Sequence, residues 1–265
     1  MPPPTTTTTN IPSSKPRPKA KPKKRARDET TNDTQQQQQQ KAKRRKSAFD
    51  QDDLDLDLDA GLNLKIAHLD NMLLADHIAQ KTRRFGSDLR PVELGALDIS
   101  HSSSFSESRT LENFPAFLEA HAPDPKDLEA APKENGSPHT IVVAGAGLRA
   151  ADIVRAMRKY QTKKITVGKL FAKHIKIEDA KKFLETHRTG VSVGTPVRLN
   201  DLVESGSLKL DKLERLVVDA SHIDQKKRGI MDMKETMIPL ARWLSRTEFK
   251  VRYTDPDHPL QLLFY

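Results

Sequence analysis

At 265 residues the chain has room for one or two ordinary domains, and 45 Lys/Arg against 36 Asp/Glu give it a formal net charge of +9. It has no cysteine, which excludes a disulfide framework, a thiolate metal site and a cysteine nucleophile, and fits a reducing compartment. It has no run of about 18 apolar residues to cross a bilayer and no basic-then-apolar signal pattern at its start, so a soluble intracellular protein is expected.

Residues 1–59 hold Pro and Thr runs, a glutamine tract from Gln35 to Gln40 and long charge blocks. Such a segment buries too little apolar surface to offset its ordering entropy, and a disordered tail is expected. Two basic clusters stand out, Lys19 to Arg27 (with Lys23, Lys24, Arg25 and Arg27) and Lys41 to Lys46 (with Lys43, Arg44, Arg45 and Lys46). Flexible runs of this kind read as nuclear-import signals or nucleic-acid arms, so a nuclear and nucleolar location is expected. Asp50 to Asp59 alternates Asp with Leu. A strand there is discounted, because neighbouring carboxylates would repel along one face. Residues 140–265 carry 24 basic against 15 acidic side chains, so the C-terminal part favours a polyanionic partner in its own right.

Residues 60–138 read as a helical extension and linker. Leu69, Met72, Leu73 and Ile78 fall at helical spacing within 64–84, and 109–121 suggests a second helix bent or restarted at Pro115. From 139 to 265 short apolar strands alternate with amphipathic helices. The expected strands are 141–143, 165–167, 191–193, 213–218 and 260–264, and the expected helices 148–159, 178–186, 196–205 and 233–245. This alternation predicts an α/β domain, a parallel sheet with helices on both faces. Ligands in such sheets bind beyond the carboxyl ends of the strands.

Three stretches lie there. Gly145-Ala146-Gly147 opens a helix in a GxGxxA pattern, which admits a dinucleotide or an S-adenosylmethionine site. No acidic residue ends the next strand near Ile165–Lys169 to hold a ribose, so a tight strand-to-helix turn is preferred. Gly190 to Gly194 is formally GxSxG, but Ser192 lies inside an apparent strand instead of at a strand-to-helix elbow, and the match is read as chance. The third is Gly194-Thr195-Pro196-Val197-Arg198-Leu199, followed by a strand that ends at Asp219-Ala220-Ser221-His222.

That third pattern resembles the stretch of DEAD-box RNA helicases in which a TPGRL motif starts a helix and a following strand delivers Asp-Glu-Ala-Asp. The resemblance implies a RecA-like sheet whose Thr195, Pro196 and Arg198 hold an RNA backbone. The physics is consistent, since free helix amides favour phosphate and a guanidinium grips two oxygens. Arg198 could equally pair with Asp201 or Glu204 on its own helix. Val197 replaces the motif's glycine. Asp219 matches the first acid, Ala220 replaces the water-activating Glu, and Ser221-His222 replace Ala-Asp. With no GxxxxGK[ST] loop either, the ATPase motif reads as non-functional. Upstream, Ala144 to Ala150 aligns with the family's PTRELA motif, and the resemblance implies a further, displaced RNA contact at Arg149. Downstream, Leu262 to Phe264 resembles the approach to the Ser-Ala-Thr motif, and no second RecA domain is expected after Tyr265.

Taken with Ala75 to Phe85, Pro91 to Leu94 and Thr110 to Asn113, the order of segments resembles the Cms-one-type family of nucleolar proteins. Its members are subunits of the 90S pre-ribosome, or small-subunit processome. The resemblance spans residues 66–265. It implies a non-enzymatic RNA- or ribonucleoprotein-binding factor in small-subunit ribosomal RNA maturation, with pre-ribosomal RNA and assembly factors as partners. No cofactor, metal, membrane or small-molecule substrate is expected. The rival expectations are an S-adenosylmethionine-dependent methyltransferase using the 145–147 turn, and a protein-only assembly scaffold.

Overall fold

The computed structural model describes residues 55–86, 104–172 and 175–265. Residues 1–54, with both basic clusters, and the Pro91–Leu94 segment lie outside the described residues. At the centre runs β3 (Thr140–Val143), every residue of which is buried. A strand covered on both faces reads as an unbroken apolar run, which is why Ile141-Val142-Val143 shows no alternation. Around it stand β4 (Gly168–Leu170), β5 (Val191–Gly194), β6 (Arg215–Val218) and β7 (Gln261–Phe264), in the order β4-β5-β3-β6-β7. All are parallel, and Val143 stands level with Gly194 on one side and Val218 on the other. The expected α/β class with a single parallel sheet is what the chain adopts.

Successive side chains leave the sheet on opposite faces, which divides the core in two. Ile141, Val143, Leu216, Val218, Leu262 and Phe264 meet one set of helices: α2 (Asn71–Phe85), α5 (Ile177–Thr186), α6 (Pro196–Glu204), α7 (Lys234–Leu244) and α8 (Thr247–Tyr253). The short α1 (Leu64–His68) adds Ile66 to this side. Val142, Val193, Val217 and Leu263 meet α3 (Phe114–Ala120) and α4 (Gly147–Ala156) on the other.

The extension is part of both cores. Leu74 and Ile78 of α2 are buried with Met237, Leu240 and Trp243 of α7, and Lys81 pairs with Asp232. On the opposite face Phe114 and Phe117 set their rings edge-on to Tyr265, 4.7 and 4.8 Å away. The buried Arg109 donates to the Phe264 carbonyl, and burial pulls its pKa down to about 10.

Several elements differ from expectation for local reasons. The helix expected over 64–84 is two helices, because Asp70 accepts from the Leu73 amide at 2.8 Å and so caps a new start. Pro115 sits in the first turn of α3, so the helix begins at Phe114 and is not bent there. The strand expected at 165–167 lies at 168–170. Ile165 makes only an isolated bridge to Arg188, and continuous pairing begins where Gly168 faces Ser192. A Cβ at 168 would collide with the Ser192 hydroxyl, so a residue that reads as a strand breaker is the one the sheet requires. Two residues of the Asp/Leu stretch are strand: β1 (Leu56–Asp57) and β2 (Leu62–Asn63) form an antiparallel hairpin turning through Gly61 at φ +66°. Order therefore reaches into residues assigned to the tail. The helix α8 had no counterpart in the sequence reading.

Candidate nucleic-acid interface

The carboxyl ends of β3, β5, β6 and β7 form one edge of the sheet, and the segments singled out from sequence leave from it. Asp219 follows β6 and is 1% exposed, held by its amide to the Val143 carbonyl at 2.9 Å. Its two carboxylate oxygens each take a hydrogen bond from Arg149, one from Nε and one from an Nη, both at 2.9 Å. Arg149 is itself buried in the first turns of α4. Burial opposes its charge, but the Asp219 carboxylate outweighs this and raises its pKa. The two residues assigned separately, one to RNA and one to the degenerate ATPase motif, are thus a single fork-to-fork ion pair.

Ala220 and Ser221 donate their amides to the Tyr265 carbonyl, each at 2.7 Å. The 56–63 hairpin lies along the next residues. Asn63 donates to the Ser221 carbonyl at 2.7 Å, Ile223 to the Gly61 carbonyl at 2.9 Å, and Leu62 bridges His222. His222 is half-buried. Its pKa is lowered first by burial and then by Arg149, so at neutral pH its ring is uncharged. The remnant of the four-residue motif is therefore roofed by a strap from the chain's own N-terminal side.

Over the glycine turn sits Ile230, whose Cβ is 3.1 Å from where a Cβ on Gly145 would stand. The glycine thus serves a close approach of protein to protein, in keeping with the tight-turn reading. Ser192 is wholly buried within β5, which agrees with reading GxSxG as chance.

Thr195 follows β5 and donates its amide to the Leu170 carbonyl at 3.3 Å. Pro196 takes the first position of α6, where its missing N–H costs nothing. Arg198 is buried and donates to the Ile175 carbonyl at 3.1 Å, not to Asp201 or Glu204. Neither α4 nor α6 has a side chain capping its N-terminus. Each places an apolar residue outward in its first turn, Leu148 at 60% and Val197 at 52% exposure. The structure therefore gathers Thr195, Pro196 and Arg198 at one corner and Arg149 with Asp219 under the next strand. It does not bring the two arginines into contact.

At the opposite edge, sequence reasoning missed a buried polar network. Arg215 donates through Nε to the Thr140 hydroxyl (3.1 Å), which donates to His139 Nδ1 (2.8 Å), while His139 Nε2 donates to the Ala130 carbonyl (3.2 Å). This tautomer follows from the neighbours. Burial, and then Arg215, pulls the His139 pKa down to about 4. The network borders an open groove of about 1180 Å³ that also holds Asp127, Asp211, Asp255 and Asp257. Among the described residues no group of His, Asp and Glu is placed to hold a metal ion, and no helix is long and apolar enough to cross a membrane.

The profile of the family described as "CMS1: U3-containing 90S pre-ribosomal complex subunit" matches residues 6–265. The chain belongs to that family. A CMS1 protein of Chaetomium thermophilum is 60% identical over 211 residues, 78% of this chain and 84% of that one. Human CMSS1 is 31% identical over 144 residues, covering 54% of this chain and 51% of the relative. Among solved structures, a DEAD box protein of Methanococcus jannaschii is 17% identical with a TM-score of 0.37, over 60% of this chain and 37% of that one. The Chaetomium thermophilum RNA helicase Prp28, bound to ADP, is 16% identical with a TM-score of 0.39, over 71% and 42%.

Proposed function

We propose that this member of the 90S pre-ribosomal subunit family is a non-enzymatic RNA- and ribonucleoprotein-binding factor for small-subunit assembly, acting in the nucleolus. It keeps a helicase-like domain without an ATPase. The observation that carries this reading is the state of the Asp219-Ala220 remnant. An acid that serves a metal-bound nucleotide must present free oxygens, and both oxygens of Asp219 are taken by Arg149. The neighbouring position that would activate water is an alanine. RNA contact is supported by the uncapped N-termini of α4 and α6 at one edge of the sheet, where unpaired amides favour phosphate. In this reading Thr195, Pro196 and Arg198 meet the backbone, Arg198 exchanging the Ile175 carbonyl for phosphate, and Arg149 lies behind them. One observation favours the protein-only scaffold as a second reading: both arginines already have partners within the chain.

The test is RNA binding and ATP turnover by the full chain across a salt titration. Salt-sensitive binding that ignores ATP, with turnover at the level of a protein-free control, is expected. Arg198→Gln is expected to lower the slope of log affinity against log salt by about one. ATP turnover that disappears in Asp219→Asn would overturn the non-enzymatic reading. Absence of RNA binding at low salt would leave the scaffold.

A further inference from the structure

The net positive charge of residues 140–265, 24 Lys/Arg against 15 Asp/Glu, falls almost wholly on one segment. Residues 155–188 hold eleven Lys/Arg against three Asp/Glu, and the described residues among them include β4, an edge strand of the sheet. Some are neutralised locally, Lys159 by Glu119 and Lys181 by Glu178. Arg158, Lys163, Lys164, Lys169, Lys176 and Lys182 are exposed and form no ion pair among the described residues. A lone lysine on an edge strand is explained by protection against edge-to-edge pairing, and Lys169, exposed between buried Gly168 and Leu170, would suffice for that. Six uncompensated cations go beyond that need.

Their display is built. Lys163 and Lys164 sit on a turn closed by the Thr162 amide to the Ile165 carbonyl (2.9 Å) and by the Thr162 hydroxyl, which accepts from the Lys164 and Ile165 amides. From Lys164 to Lys169 the chain is about 15 Å long if extended, enough to pass several phosphates of one strand. The row also runs into the corner already described. Leu170, next to Lys169, supplies the carbonyl that holds Thr195, and Ile175, next to Lys176, supplies the one that holds Arg198. The aromatic rings of the same stretch are occupied. Tyr160 and Phe171 are buried, and Phe183 stacks on His187 at 4.7 Å. The surface therefore offers charge without stacking platforms, which suits a phosphate backbone whose bases are already paired.

We propose that the β4 side of the sheet, through Lys163, Lys164, Lys169 and Lys176, is a binding surface for the backbone of double-helical RNA. It continues the Thr195–Arg198 corner and supplies most of the folded part's affinity. This inference rests on the RNA-binding reading above and assigns it a surface of its own.

The test uses the full chain with both tail clusters changed to glutamine, so that tail charge does not mask the folded part. The probe is an RNA duplex of about 20 base pairs, long enough for a shape-reading contact. Three variants are compared with this parent: the four lysines to glutamine, the same four to arginine, and Arg198→Gln alone. The glutamine set is expected to bind at least about tenfold more weakly and to lower the salt slope by about three. The arginine set is expected to keep both. The parent's melting temperature should be unchanged in both lysine sets, because all four side chains are exposed. A glutamine set that binds as tightly as the parent, with an unaltered slope, would overturn this surface while the RNA-binding reading stands. An arginine set that fails alongside it would overturn it as well, since charge would not be the cause. A parent that binds no RNA would remove the reading and the surface together.

Discussion

The Arg149–Asp219 pair shows what one buried contact decides. A buried ion pair is a modest stabiliser as a whole, but losing one partner strands the other charge. Arg149→Ala, leaving Asp219 at 1% exposure, is expected to cost about 3–5 kcal/mol. It would be read as a lower urea midpoint with an unchanged m-value. Arg149→Met combined with Asp219→Leu should recover most of that loss, because no charge is then left buried. His139 gives a pH signature of defined sign. Its folded pKa, about 4, lies below the ordinary 6.5, so between these values the unfolded chain binds the extra proton. Its contribution is complete above about pH 6.5 and lost as the pH falls toward 4, up to about 3 kcal/mol. The difference in unfolding free energy between the wild type and His139→Gln, measured from pH 7 to 4, should narrow across that window. Sequence put Asp219 at the end of a strand and Ala220 beside it correctly. It could not pair Asp219 with a residue 70 positions away, since periodicity carries no information across that separation.

Elements were legible where one local rule dominated. The apolar runs in β3 and β6, the short Val191–Val193 segment of β5 and the amphipathic stripes of α4, α5 and α7 stand close to where their patterns put them. Elements that a neighbour dictates were not. Gly168 is in a strand because Ser192 needs the room. The 56–63 hairpin had an alternating signal, set aside because its carboxylates would repel. In the hairpin Asp55 and Asp57 are part-exposed and Asp59 is exposed, while Leu62 is buried at 2% exposure, so water can screen the repulsion between those three carboxylates. Leu62 is accordingly the anchor of the strap. Removing its side chain costs about 2–5 kcal/mol, more than two backbone hydrogen bonds at about 0.5–1.5 kcal/mol each return. In Leu62→Ala the Asn63 and Ile223 amides should lose hydrogen-exchange protection, while Val142 and Val217 in the sheet keep theirs.

At the scale of the molecule, net charge was readable from composition, but its placement was not. The basic side along β4 and the acid-lined groove near Asp211 and Asp257 lie on different parts of the surface, and only the strand order separates them. The same order has a consequence during synthesis. Two early described segments find their partners late in the chain: the strap rests on Ser221 to Ile223, and α2 on α7. A ribosome moving at about 5–20 residues per second makes Leu74 and Ile78 wait on the order of ten to thirty seconds before Met237 to Trp243 emerge. For that interval their apolar face has no cover within the chain. A nascent copy is thus exposed to aggregation and to chaperone capture through α2, and slowing translation between residues 85 and 230 should lengthen that window.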